Sequence, residues 1–189
     1  MGGADEFLVR EERAGAQARC GTREALLREA GVANPAFTLM TPTTSDAQRT
    51  AQVVQAMAKD AGFDVKIQST EFSTSLDLAD KGQFDAYVLA WSGRADPDGN
   101  LHSHLGCKQP LTYSGYCKPE VDELINKSRA TIDPSQRLKL FEQIAAAVAR
   151  DRPIIYIYHR HWLWAYTGKL SGLRTVPDGL VRLQNLKLN

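Results

Sequence analysis

The sequence predicts an α/β layered domain with a largely parallel sheet. Two observations carry this. Between residues 36 and 91, apolar positions switch repeatedly between strand-like alternation and helical spacing of three and four. The segments so marked follow the order βαβαβ, in which helices join parallel strands. A third observation places a candidate site. A polar, turn-rich loop, 92–100, follows the third strand, and ligands of open α/β sheets bind at the carboxyl ends of strands.

The elements follow in order. Residues 1–22 are polar, rich in Ala, Gly and Arg, and without period; they read as a tag, tail or frayed helix. Thr22 caps a short helix through Ala30, with Leu26 and Leu27 inward and Gly31 ending it. Ala36 to Thr41 alternates as a strand. Thr44 or Ser45 then opens a long helix whose stripe is Ala47, Ala51, Val54, Ala58 and Ala61, closed by Gly62. Phe63 to Ser69 is a second strand with Val65 and Ile67 on one face. Phe72 to Asp80 is a helix ended by Gly82. Phe84 to Trp91 is almost wholly apolar and reads as a strand buried on both faces, in the middle of the sheet.

Beyond the loop, Pro119 starts a helix to about Ala130 with Val121, Leu124 and Ile125 inward. Asp133 caps another, which begins at Pro134 and runs to about Asp151, with Leu138, Phe141, Ile144, Ala145 and Val148 inward; Pro153 stops it. Ile154 to Tyr158 is a predicted strand, and Trp162 to Tyr166 extends or pairs with it. The tail, 168–189, carries short Leu/Val alternations around the turn signal Pro177-Asp178-Gly179.

The chain has 189 residues, 43% apolar, with 23 basic and 22 acidic side chains and a formal charge of +1. Its length suffices to bury roughly 70% of its unfolded surface. Charge balance argues against a nucleic-acid partner, which leaves a basic surplus or stripe. No apolar run approaches the roughly 20 residues of a membrane span, and the N-terminus lacks the basic and apolar regions of a secretory signal.

Several residues could carry chemistry. His102 and His104, and His159 and His161, form His-x-His pairs, which on a strand share a face and suit a metal. No third ligand stands at a supporting spacing, so the residues imply no metal and no other cofactor. Cys107 near His102 and His104 would serve a hydrolase, but no nucleophile elbow supports it. The glycine loops of nucleotide sites are absent. Cys107 and Cys117 flank a turn-rich stretch and either close a short loop as a disulfide or remain free thiols; Cys20 is the odd one out. Asp96-Pro97-Asp98-Gly99-Asn100 resembles half a calcium loop but lacks its closing Glu, so it reads as a tight turn held by Asx hydrogen bonds. Arg94 beside it suits bidentate capture of a carboxylate. Trp91, Tyr113, Tyr116, Trp162, Trp164 and Tyr166 suffice to line a groove. The residues themselves describe a ligand-binding lobe without a catalytic constellation.

Seven motif pieces, in order, add a family resemblance. Ala25-Leu-Leu-Arg-Glu-Ala-Gly31 looks like "ALL-x-x-AG", and Gln52 to Val65 like "L-x-x-x-G-I/F-x-V". Gly82 to Tyr87 resembles "G-x-[FY]-D-x", and Trp91 to Asp98 resembles "W-x-x-x-x-DP-D". Tyr113 to Tyr116, with Glu120 to Leu124, resembles "N/Y-x-x-Y-x-N-x-x-[VF]-D-x-L". Asp133 to Phe141 resembles "D-x-x-x-R-x-x-[LI]-[YF]", and Arg152 to Ile157 resembles "x-x-P-x-I-P-L". From about Glu24 to Leu173 the chain therefore resembles the C-terminal lobe of family 5 extracytoplasmic solute-binding proteins, the peptide, nickel, opine and oligosaccharide receptors of ABC importers.

The resemblance implies a periplasmic-binding-protein-like lobe with a mixed, mostly parallel sheet flanked by helices. It divides the chain into a non-family segment 1–22, a ligand-binding lobe 23–172, and a tail 173–189 that returns to another lobe. Full receptors are more than twice as long, so the signal and most of the N-terminal lobe would lie outside this sequence. It implies a non-enzymatic, periplasmic receptor that delivers a small polar solute to a membrane permease. Dipeptide receptors of the family carry a disulfide near Cys107 and Cys117, which favours that bridge and an oxidising compartment. Trp91, Ser92, Arg94, Asp96, Asp98, Tyr113 and Tyr116 become the expected ligand-binding residues. Peptide receptors place an acidic residue shortly after the loop Trp to hold the ligand's α-amine; Arg94 stands there instead, implying an anionic group such as an amino-acid, opine or sugar-acid carboxylate. The single lobe is expected to bind weakly or not at all, and to hide an exposed groove by self-association. Different classes of reading are a stand-alone metal-binding protein using the His-x-His pairs and a small Cys/His hydrolase.

Overall fold

A computed structural model describes residues 20–159, 161–176 and 178–189. The prediction for residues 1–22 lies, up to residue 19, outside them. The described residues fall into two compact units, one through Ala90 and one from Trp91 onward.

The first unit holds α1 (Cys20–Glu29), β1 (Ala36–Pro42), α2 (Ser45–Asp60), β2 (Asp64–Thr70), α3 (Phe72–Asp80) and β3 (Ala86–Tyr87). The strands form a parallel sheet in the order β2-β1-β3, with Ala36 opposite Asp64, Pro42 opposite Thr70, and Leu39 opposite Ala86. The α2 stripe packs onto β1 and β2: Leu39, Ala51 and Val65 are buried together, flanked by Phe37, Val54, Ala58, Phe63 and Ile67. Phe37 meets Phe63 edge to face, 6.1 Å between centroids.

Two strand predictions change. The strand buried on both faces is β1, whose Leu39, Met40 and Thr41 are all covered. Residues 84–91 instead supply a two-residue ladder at the sheet's edge, where Val88 N–H donates to Met40 O at 2.9 Å before pairing stops. Leu26, predicted inward, is 59% exposed; Leu27 takes the inward place and lies against Gly62.

The second unit holds α4 (Asp98–Leu105), α5 (Pro119–Ala130), α6 (Pro134–Asp151) and an antiparallel pair, β4 (Leu170–Ser171) and β5 (Lys187–Leu188). Leu105, Val121, Ile125, Ile144, Ala147 and Val148 form its core. Asp133 Oδ1 accepts the amide of Gln136 at 2.8 Å, the predicted cap of α6. Leu138, predicted inward, is 56% exposed, and Leu140 is buried in its stead. The prediction missed α4 altogether, because its Asp98-Gly99-Asn100 start reads as turn.

Ile154 to Tyr158 and Trp162 to Tyr166 form no strand ladder. A strand exists only where a neighbour completes its backbone hydrogen bonds, and the described residues place no partner strand beside these runs. No described helix is long and apolar enough to cross a membrane.

Candidate functional site

The loop after Trp91 is built around one amide side chain. Asn100 Oδ1 accepts from Trp91 Nε1 at 3.1 Å and from the Arg94 amide at 2.7 Å. Asn100 Nδ2 donates back to Arg94 O at 2.9 Å. This closes residues 91–100 into a ring of hydrogen bonds and holds the Arg94 side chain over the indole, with the guanidinium carbon 4.7 Å from the ring centroid. Arg94 Nη1 also donates to Ser92 Oγ at 2.9 Å. Gly99 makes the approach possible: a Cβ there would stand 2.9 Å from Arg94 Cβ.

Asp96 opens α4 as the predicted Asx turn, its Oδ1 accepting the amide of Asp98 at 2.8 Å. Its two carboxylate oxygens also accept from Arg137 Nη1 and Nη2, each at 2.8 Å. Arg137 chiefly, and the Asp98 amide after it, hold this carboxyl below the usual carboxylate range. Asp98 Oδ1 lies 3.2 Å from Arg129 Nε. Asp96, Asp98, Asn126, Arg129, Ala130 and Arg137 line an open hollow of about 500 Å³.

His104 meets the Trp91 ring edge-on at 4.5 Å. Burial lowers its pKa, partly offset by the Asn100 backbone. His102 and His104 stand on a helix, where residues two apart diverge, so they do not form the shared face that the strand reading required. No group of three or more metal-ligating side chains occurs among the described residues.

Cys107 and Cys117 are joined as a disulfide, Cα atoms 4.5 Å apart, linking the end of α4 to the start of α5. The hydrolase reading loses its nucleophile with that bond. Asp122 Oδ1 accepts the Cys107 amide at 2.8 Å. Within the closed loop, Tyr116 donates its hydroxyl to Asp151 Oδ2 at 2.7 Å, beside Lys118 Nζ at 2.8 Å from the same oxygen. Burial first, and that hydrogen bond second, raise Tyr116 to about 12. Tyr113 is half-buried.

The structure thus gathers Trp91, Ser92, Arg94, Asp96 and Asp98 in one loop and fastens Tyr116 to the end of α6. The sequence reading missed Asn100 as the loop's organiser and both helix arginines. Asn100 carried a turn signal, and Arg137 stood as the Arg of the Asp133 to Phe141 motif piece; Arg129 carried neither, and the partners of both arginines stand dozens of residues away.

Residues 21–111 match the family described as bacterial extracellular solute-binding proteins, family 5 Middle. That stretch is a family 5 solute-binding segment. The chain is 32% identical over 140 residues to di/tripeptide-binding protein 4 of Pseudomonas aeruginosa, covering 69% of this chain and 26% of that protein. It is 26% identical over 175 residues to the dipeptide-binding protein of Escherichia coli, covering 87% and 33%. Among solved structures it resembles the ABC transporter-associated periplasmic binding protein DppA from Helicobacter pylori in complex with peptide STSA. There the identity is 27% and the TM-score 0.63, covering 69% of this chain and 27% of that one. The chain spans about a quarter to a third of the length of these relatives. The family 5 segment and the disulfide agree with the resemblance read from the motif pieces.

Proposed function

We propose that loop 91–100 is one wall of the solute site of an extracytoplasmic receptor. The receptor takes short peptides or similar small polar solutes and serves the permease of an ABC importer. The relatives' names support peptide as the solute class and the periplasm as the compartment. They also favour a binding protein over an enzyme or a metal carrier.

One observation carries the finer reading. Arg94 lies over Trp91 on a loop fixed by Asn100; its charge is felt by Asp178, but that carboxylate is paired with Arg182, and among the described residues Arg94 itself makes no ion pair. Both acidic residues of the loop are engaged with arginines of α5 and α6. The loop therefore offers a cation, and Arg94 takes the solute's carboxylate in bidentate geometry. Trp91 and Ser92 flank that contact.

A pocket buries most of a small ligand's surface, so a single wall binds in the millimolar range. Equilibrium titration with the dipeptide Ala-Ala and with its C-terminal amide tests this. Binding of Ala-Ala that is lost on amidation and in Arg94→Ala is expected. Equal affinity for both peptides, or an unaffected Arg94→Ala, would overturn the assignment. Outside the solute site, the exposed apolar residues of 155–158 and 162–166 draw two copies of the isolated chain together at high concentration.

A further inference from the structure

Arg137 lies near the start of α6, outside the loop, yet its guanidinium is fully engaged. Nε donates to Ser128 O on α5 at 3.0 Å, and Ser128 is buried. Nη1 and Nη2 take the two oxygens of Asp96, and the guanidinium sits 5.0 Å from the Phe141 ring centroid. Only an arginine offers this fork together with a flat face for an aromatic ring. The side chain is 25% exposed, against 56% for Asp96. From Asp96 the connections continue: its Oδ1 holds the Asp98 amide, its carbonyl accepts weakly from Asn100 Nδ2 at 3.4 Å, and Asn100 holds Trp91 and Arg94. A continuous path of hydrogen bonds thus runs from the α5 backbone, through Arg137 and Asp96, to the pair of residues at the loop's tip. It also joins two of the motif pieces, Trp91 to Asp98 and Asp133 to Phe141, that lie far apart in sequence.

We propose that Arg137 is a positioning residue. Through Asp96 and Asn100 it fixes the Arg94–Trp91 arrangement, and it does so without touching solute. Its consequence for solute affinity rests on the reading of the loop as the solute site; the ordering of the loop does not. An exposed ion pair adds little to global stability, so the effect falls on local opening of residues 91–100.

Amide and indole hydrogen exchange on the full chain tests it, comparing the unaltered protein with R137K, D96N, the double variant, and R150K as control. Arg150 pairs with Asp151, and among the described residues it makes no ion pair with the loop. In R137K the Arg94 amide and the Trp91 indole proton are expected to exchange about tenfold faster. D96N should do the same, and the double variant no more than either, as members of one path behave. The α5 and α6 amides should stay protected, and R150K should change none of them. Unchanged exchange at Arg94 and Trp91 in R137K would overturn the proposal. So would acceleration that spreads equally through α5 and α6, which marks a general structural role. If Ala-Ala fails to bind while the loop responds as expected, the solute reading fails and the positioning role stands.

Discussion

Gly99 decides how closely the loop backbone meets Arg94. The van der Waals limit leaves no room for a methyl group 2.9 Å from Arg94 Cβ and 3.0 Å from its Cγ. Gly99→Ala should therefore push Arg94 off the indole, cost about 1 kcal/mol, and change the Trp91 indole resonance, which NMR of the two proteins checks. Tyr116 makes a second residue-scale prediction. With its pKa raised from 10.0 to about 12, its stabilising effect is present below pH 10 and is lost as the pH rises through 12. Burial also raises Tyr87, so ultraviolet titration should show late-titrating tyrosines, of which the component near pH 12 is absent in Tyr116→Phe. The sequence made the Asx turn at Asp96 legible because the amide it caps is two residues away. Asn100 reaches back nine residues to Trp91, and Arg137 reaches forty-one to Asp96. No local pattern encodes such pairs.

Helix ends and the disulfide set the stability of the elements. Glu71 caps α3, its carboxylate accepting from the Thr74 amide at 3.1 Å and from the Ser73 hydroxyl. Those bonds, the Ser73 hydroxyl first, lower its pKa from 4.5 to about 2. The capping contribution is therefore present above pH 4.5 and fades as the pH falls towards 2. Glu71→Gln should unfold at a lower temperature than the parent at pH 7, with the gap closing towards pH 2 in calorimetry. Reducing Cys107–Cys117 frees a ten-residue separation and should cost about 3 kcal/mol by loop closure, read from denaturation with and without reductant. Within α6, Ile144→Ala should cost about 2–5 kcal/mol, since Ile144 is fully buried. Leu138→Ala should cost far less, as that side chain is mostly exposed. Helices were legible where end signals and period agreed, as for α5, with Pro119 in its first turn, and α6, with its Asp133 cap. Strands were less so: an apolar run states that a segment wants burial, not whether a neighbour exists to pair with it; 84–91 pairs over only two residues, and 154–158 has no partner strand among the described residues.

At the scale of the whole molecule, apolar surface is the unresolved term. Ile155 is 82% exposed and Leu163 is 91% exposed, on continuous apolar runs of the kind that suits a covered strand. The relatives are three to four times longer than the matched stretch, and an apolar face of this kind needs a cover. Sedimentation of the isolated chain should show dimers rising with concentration. Ile155→Ser with Leu163→Ser should weaken them while leaving the unfolding midpoint nearly unchanged. The α/β class was legible because it depends on local period. The covering of the apolar runs was not, because a local pattern states a need for burial and not what supplies it. The most direct measurement of the central claim is an amide-resolved NMR titration of the chain with Ala-Ala. Saturable shifts at Trp91, Ser92 and Arg94 are expected in the millimolar range. Shifts confined to residues 155–166, or none at all, would contradict a solute site at the 91–100 loop.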